Sequence, residues 1–158
     1  MKSIQCLLDE FCAINALPQL PIEVNGRCQL LVDDHILVYF IAPNTNELWL
    51  SARVGGLPRK GVIRTRGLEV IARANYYGLG CGGGSLSVSP DGRQVILFGQ
   101  KALAVLDGAS LTQWFDEFHE QSMQWQARFA TLEQGISCHV EAGYRPDEPL
   151  PFEKRYWG

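Results

Sequence analysis

Residues 110–132 constrain this chain more than any other stretch. Leu111, Trp114, Phe115, Phe118, Trp125, Phe129 and Leu132 recur at helical intervals and fall on one face. Ser110 followed by Gln113 reads as a capping box at the start of this helix, and Gly135 as its end. Burying each such side chain is worth roughly 1.5–3 kcal/mol before conformational entropy is subtracted. A face that wide demands a broad apolar partner surface.

The rest of the chain supplies that surface as strands. Residues 28–33 (CQLLVD) and 36–41 (ILVYFI) flank a polar Asp34-His35 pair, and residues 47–54 (ELWLSARV) alternate cleanly. Leu48, Leu50, Ala52 and Val54 share one face of that third strand; Glu47, Trp49, Ser51 and Arg53 share the other. Residues 68–77 (LEVIARANYY) read as a short helix with Leu68, Ile71 and Ala72 toward the core. Residues 85–89 and 93–98 form a hairpin around Pro90-Asp91-Gly92, where proline presets φ and glycine takes the positive-φ position. At the start, Ser3 caps a helix whose stripe is Ile4, Leu7, Leu8, Phe11 and Ile14. The order is α-β-β-β-α-β-β-α. Clustered strands predict an α+β fold, with helices packed on a twisted, mainly antiparallel sheet. Residues 1–135 read as one domain. Residues 136–158, with Pro146, Pro149 and Pro151, read as an irregular C-terminal extension.

The chemistry of catalysis is missing from this pattern. Asp9-Glu10 and Asp33-Asp34 are neighbours whose side chains diverge, which suits a solvated face and a turn. His35 and His119 have no partner in a nucleophile arrangement and read as solvated or capping. Cys6, Cys12, Cys28, Cys81 and Cys138 are odd in number and scattered, so they read as reduced, mostly buried thiols rather than disulfides or metal ligands. No catalytic residue, metal ligand or cofactor is expected. The run Gly78-Leu79-Gly80-Cys81-Gly82-Gly83-Gly84 invites a small-ligand or nucleotide reading. No Lys-Ser/Thr follows it, however, and it leads into a strand rather than a helix. A net charge of −3 offers nothing to a phosphate backbone, so nucleic acid is not an expected partner. No apolar run approaches a membrane span or a signal sequence, and the expectation is a cytoplasmic protein without membrane insertion.

Residues 68–97, a helix ending at Asn75, then aromatics, glycines and a strand–Asp-Gly–strand hairpin, resemble the matching segment of class I type III secretion chaperones. Gly26 to Asp34 is similar to that family's first strand, and Trp125 fits its final helix. The resemblance spans about residues 3–134. It implies a homodimer joined through residues 68–77 and 85–89, with Ile71, Asn75, Tyr76, Tyr77, Leu86 and Val88 at the interface. It also implies a bacterial chaperone that holds the N-terminal chaperone-binding segment of one or more secreted effectors in extended form. A strand edge would take the guest's main chain, and apolar patches its side chains. Leu7, Leu8, Phe11, Ile36, Val38, Phe40 and Trp49 are the candidate partner-binding residues. Phe11 and its neighbours exceed a narrow stripe, the second strand is apolar on both faces, and Trp49 lies opposite the inward face. A regulatory or scaffold protein on the same fold is a further reading, because fold does not fix function.

Overall fold

In a computed structural model of the chain, residues 3–134 are described. The elements are α1 (Ile4–Ile14), β1 (Arg27–Val32), β2 (Ile36–Ile41), β3 (Glu47–Gly56), α2 (Val62–Ala74), β4 (Ser85–Val88), β5 (Gln94–Ala102) and α3 (Gly108–Glu133). A 3-10 turn over Tyr76–Cys81 follows α2, and another over Leu103–Val105 precedes α3. The predicted order holds.

One antiparallel sheet of five strands runs β1-β2-β3-β5-β4. Ile36, Val38 and Phe40 of β2, and Leu48, Leu50, Ala52 and Val54 of β3, all point to one side and are fully buried. Helices α1 and α3 cover that side. Phe11 of α1, Phe40 of β2 and Phe115 of α3 meet there, with ring centroids 5.2–5.6 Å apart. All of the predicted stripe of α3, from Leu111 to Leu132, is buried.

The two helices are tied at their ends. Ser3 Oγ accepts from the Cys6 N–H, as the N-cap reading requires. Glu10, expected on a solvated face, instead accepts from the Gly108 N–H at 3.1 Å, supplying an acceptor to the first turn of α3. Asn15 Nδ2 donates to Thr112 Oγ1 at 2.9 Å.

Three local expectations are corrected. The capping box of α3 is formed by Asp107 and Ser110, so the cap lies three residues before Ser110. Ser110 is thus the third helical residue and not the cap. Helix α2 starts at Val62 and ends before the tyrosines. Its buried face is Gly67, Val70, Ile71 and Ala74, while Leu68 is 40% exposed and Ala72 faces solvent. The apolar stripe is displaced because Gly67 lets Leu57 and Leu132 approach the helix axis. Gly135 and Cys138 lie outside the described residues, as does the whole of 136–158.

Candidate functional site

The sheet's second side carries the candidate site. Strand alternation places Leu31 of β1, Leu37, Tyr39 and Ile41 of β2, Trp49 of β3, and Ile96 and Phe98 of β5 on the face turned away from α1 and α3. Cross-strand register brings them together: Leu31 faces Leu37, Ile41 faces Trp49, and Ser51 lies between Tyr39 and Phe98. Leu31 is 55% exposed and the others are half-buried by their neighbours. None belongs to the core formed on the helical side. Trp49 tilts toward Phe98 with centroids 6.3 Å apart, and its Nε1 donates to Glu47 Oε2 at 3.3 Å. An apolar sheet face without a covering layer among the described residues marks an interaction surface.

The two edges of the sheet differ. At β4, Asn75 at the end of α2 blocks the margin. Its Nδ2 donates to the Leu86 carbonyl and its Oδ1 accepts from the Leu86 N–H, both at 2.7 Å. The side chain mimics a neighbouring strand and closes that edge to another one. At β1, the outward main-chain groups of Arg27 are taken locally: its carbonyl accepts from the Glu23 N–H and its N–H donates to Asn25 Oδ1. By alternation Gln29 and Leu31 face the same way. Among the described residues nothing pairs with their main chain on that side. The open margin thus adjoins the apolar face.

Of the predicted partner-binding residues, Trp49 lies on this face. Leu7, Leu8, Phe11, Ile36, Val38 and Phe40 do not: each is at most 1% exposed, sealed between the sheet and α3. The reason is the width of α3's apolar face, which spans α1 and the sheet together. On β2 the alternates of Ile36, Val38 and Phe40, namely Leu37, Tyr39 and Ile41, are the outward ones. Their signal was present, since ILVYFI is apolar at every position.

Of the predicted interface residues, Tyr76 and Tyr77 are 44% and 64% exposed and meet edge to face at 4.6 Å. Leu79 beside them is also exposed. Val88 is half-buried, and Ile71 and Leu86 are buried within the single chain itself. Asn75 is committed to the β4 edge, as above.

The glycine run is structural. A side chain at Gly84 would begin 2.5 Å from the Phe98 carbonyl oxygen, and one at Gly80 would begin 2.8 Å from Ala74 Cα. The Gly80 carbonyl accepts from Trp125 Nε1 at 3.1 Å, which fastens the run to α3. The small cavity beside Gly82 and Gly84 is walled by Trp114, Phe118, Glu117 and Glu120. Two carboxylates there repel phosphate, which argues against the nucleotide reading. Cys12, Cys28 and Cys81 are buried and Cys6 is exposed. Burial, helped by neighbouring Cys12 and Glu23, pushes the Cys28 thiol up to about 12. Burial likewise raises Cys81 to about 11. Both thiols stay protonated and poorly nucleophilic near neutrality. His119, expected in solvent or at a cap, stacks on Phe115 with Nε2 enclosed, 3.8 Å from Asp33 Oδ2. Among the described residues no cluster of His, Cys, Asp or Glu is arranged to hold a metal, and no helix is long and apolar enough to cross a membrane.

The antiparallel sheet is thus backed by helices on one side and, among the described residues, uncovered on the other and open at one margin. Solved structures share this fold. The ExsC-ExsE complex contains a chain 21% identical, matching with TM-score 0.64 over 78% of this chain and 91% of that one. The Yersinia pestis type III secretion chaperone SycH, solved with a fragment of YscM2, is 20% identical with TM-score 0.61 over 77% and 98%. The HopA1-SchA chaperone-effector complex gives 16% identity and TM-score 0.61 over 77% and 91%. No curated protein matches the sequence. The chain belongs to the Tir chaperone protein (CesT) family, whose pattern matches residues 6–126.

Proposed function

We propose that the protein is a non-enzymatic type III secretion chaperone that binds the N-terminal segment of a secreted effector in extended form and keeps it soluble in the bacterial cytoplasm. The observation that carries this reading is the coincidence of an open β1 margin with an uncovered apolar face. A guest strand bonds main chain to main chain at Gln29 and Leu31, and its neighbouring residues lie across Leu37, Tyr39, Ile41 and Trp49. Ordering a flexible guest costs about 2–5 kcal/mol, which a broad apolar surface offsets. Family membership and the similar structures, in which a chaperone is bound to an effector or a partner fragment, support the same reading.

The margin supplies the test. Gln29→Pro removes one outward N–H and leaves the β1–β2 ladder intact, since proline is tolerated on an edge strand. The expected result is a loss of about tenfold in affinity for the N-terminal segment of a secreted protein encoded beside this chain, worth about 1.4 kcal/mol. The melting temperature should change little. Unchanged affinity would remove strand addition from the mechanism.

The working unit in this proposal is a homodimer, with residues 1–135 as the chaperone domain and 136–158 as an appended segment. Tyr76, Tyr77 and Leu79 form an exposed apolar cluster at the end of α2, and tyrosines are frequent anchors of interfaces. The blocked β4 edge means that the two copies meet through side chains, without a continuous strand ladder at Leu86. Sedimentation equilibrium should show a dimer for the native chain and a monomer for Tyr76→Glu/Tyr77→Glu. A native monomer at micromolar concentration contradicts the dimer.

A further inference from the structure

Residues 59–66 carry Arg59, Lys60, Arg64 and Arg66 and no carboxylate. The β4–β5 turn brings Arg93 beside them. Arg59, Arg64 and Arg93 line an open recess of about 470 Å³, together with Asp91 and Gly92. Arg64 is fixed in place: its Nη1 donates to the carbonyls of Pro58 at 3.0 Å and Gly92 at 2.7 Å. Carbonyls orient a guanidinium without neutralising it. Among the described residues none of the three arginines has a carboxylate within ion-pair distance. Asp91 turns its Oδ1 toward Ser89 Oγ and the Arg93 N–H. Positive charge is therefore concentrated at one end of a protein whose net charge is −3.

This end is continuous with the apolar face. Arg53 lies on the outer side of β3, two residues beyond Ser51 and opposite Ile96. Its guanidinium, the Arg93 carbonyl and the Glu133 carboxylate all border Gly56, each within 3.5 Å of where a side chain at that position would begin. A chain laid along the outer side of β3 and β5 toward Gly56 therefore runs from Trp49 and Phe98 past Arg53 and Glu133 toward the arginines of the recess.

We propose that this basic end selects guests in which carboxylates flank the apolar stretch, with an acidic polypeptide segment seated on Arg53, Arg59, Arg64 and Arg93. The proposal rests on the guest-binding reading above and adds a charge preference to it. A polypeptide fits better than a free anion. The recess is wide and open, and a single exposed ion pair contributes little, so several must act together on one chain. Guanidinium forks match carboxylates in geometry, and like charges in the guest are penalised at the same place.

The experiment uses two fluorescein-labelled peptides that share one alternating leucine/serine stretch. One ends in a short run of glutamates and the other in the same number of glutamines. Fluorescence anisotropy with the full chain at about 50 mM NaCl should show the glutamate peptide binding about fivefold tighter or more, an advantage that vanishes near 500 mM salt. Arg59→Glu/Arg93→Glu should abolish the advantage and leave the glutamine peptide's affinity unchanged, with an unaltered circular dichroism spectrum. Arg64 is left in place because it holds the turn. Equal binding of the two peptides at low salt overturns the charge preference alone. So does an advantage that survives charge reversal, or one that Lys101→Glu removes as fully. Tighter binding to phosphatidylserine vesicles than to the glutamate peptide overturns it as well. Failure of both peptides to bind overturns the guest-binding reading with it.

Discussion

Phe40→Ala should lower the free energy of unfolding by about 3–5 kcal/mol, the usual cost of deleting a buried aromatic ring. Phe40 is 1% exposed, stacks on Phe115 at 5.6 Å with an interplanar angle of 5°, and touches Phe11 at the same separation. Its removal leaves a cavity bounded by both helices and the middle of the sheet, where collapse is restricted by three separate elements. Urea denaturation followed by tryptophan fluorescence measures the change. In a marginally stable domain of this size the loss is a large share of the total. A cost below about 1 kcal/mol would mean that α3 does not seal this side of the sheet. The folded fraction of the variant should bind a guest segment with native affinity, because Phe40 lies on the side away from the proposed groove. The same variant thus separates core from interface at a residue that sequence patterning assigns to the interface.

That misassignment shows what the sequence contains and what it lacks. The order of elements was legible because each carries a local signal: Ser3 as a cap, the alternation of residues 47–54, the Pro90-Asp91-Gly92 turn and the stripe from Leu111 to Leu132. The inward face of β3 was legible for the same reason, since Glu47, Ser51 and Arg53 mark its outward side. Strand β2 offers no such mark. All six of its residues are apolar, so both faces look like core and parity alone decides which is covered. Parity is set by pairing with β1 and β3, and pairing is a long-range fact. The Asn75 bridge to Leu86 was equally hidden. An asparagine after a helix reads as an ordinary cap, and its second role depends on a strand eleven residues later. The basic recess is also nonlocal in part, because Arg93 joins Arg59 and Arg64 only when the β4–β5 turn folds back over the β3–α2 loop.

Trp49→Ala should weaken guest binding by about 2–4 kcal/mol, a loss of roughly 30- to 1000-fold, while costing the isolated protein much less stability than Phe40→Ala. Trp49 sits mid-sheet on the uncovered side, between Ile41 and Gln100 in register and tilted against Phe98. A large half-buried indole on the middle strand of an apolar patch is the kind of anchor that carries much of a binding energy, because a guest side chain completes its desolvation. Isothermal titration with the guest segment measures the affinity, and a urea melt of the free protein measures the stability. The heat capacity change of binding should also become less negative, since less apolar surface is removed from water. The paired variants then form a cross-test. Phe40→Ala moves stability and spares binding, whereas Trp49→Ala moves binding and largely spares stability. If the two effects trade places, the guest lies on the helical side and must displace α1 or α3 to reach it, which would also require the free protein to open before it binds. If Trp49→Ala changes neither quantity, the uncovered face is not where the guest is held, and the open β1 margin would have to supply the affinity through main-chain bonds alone.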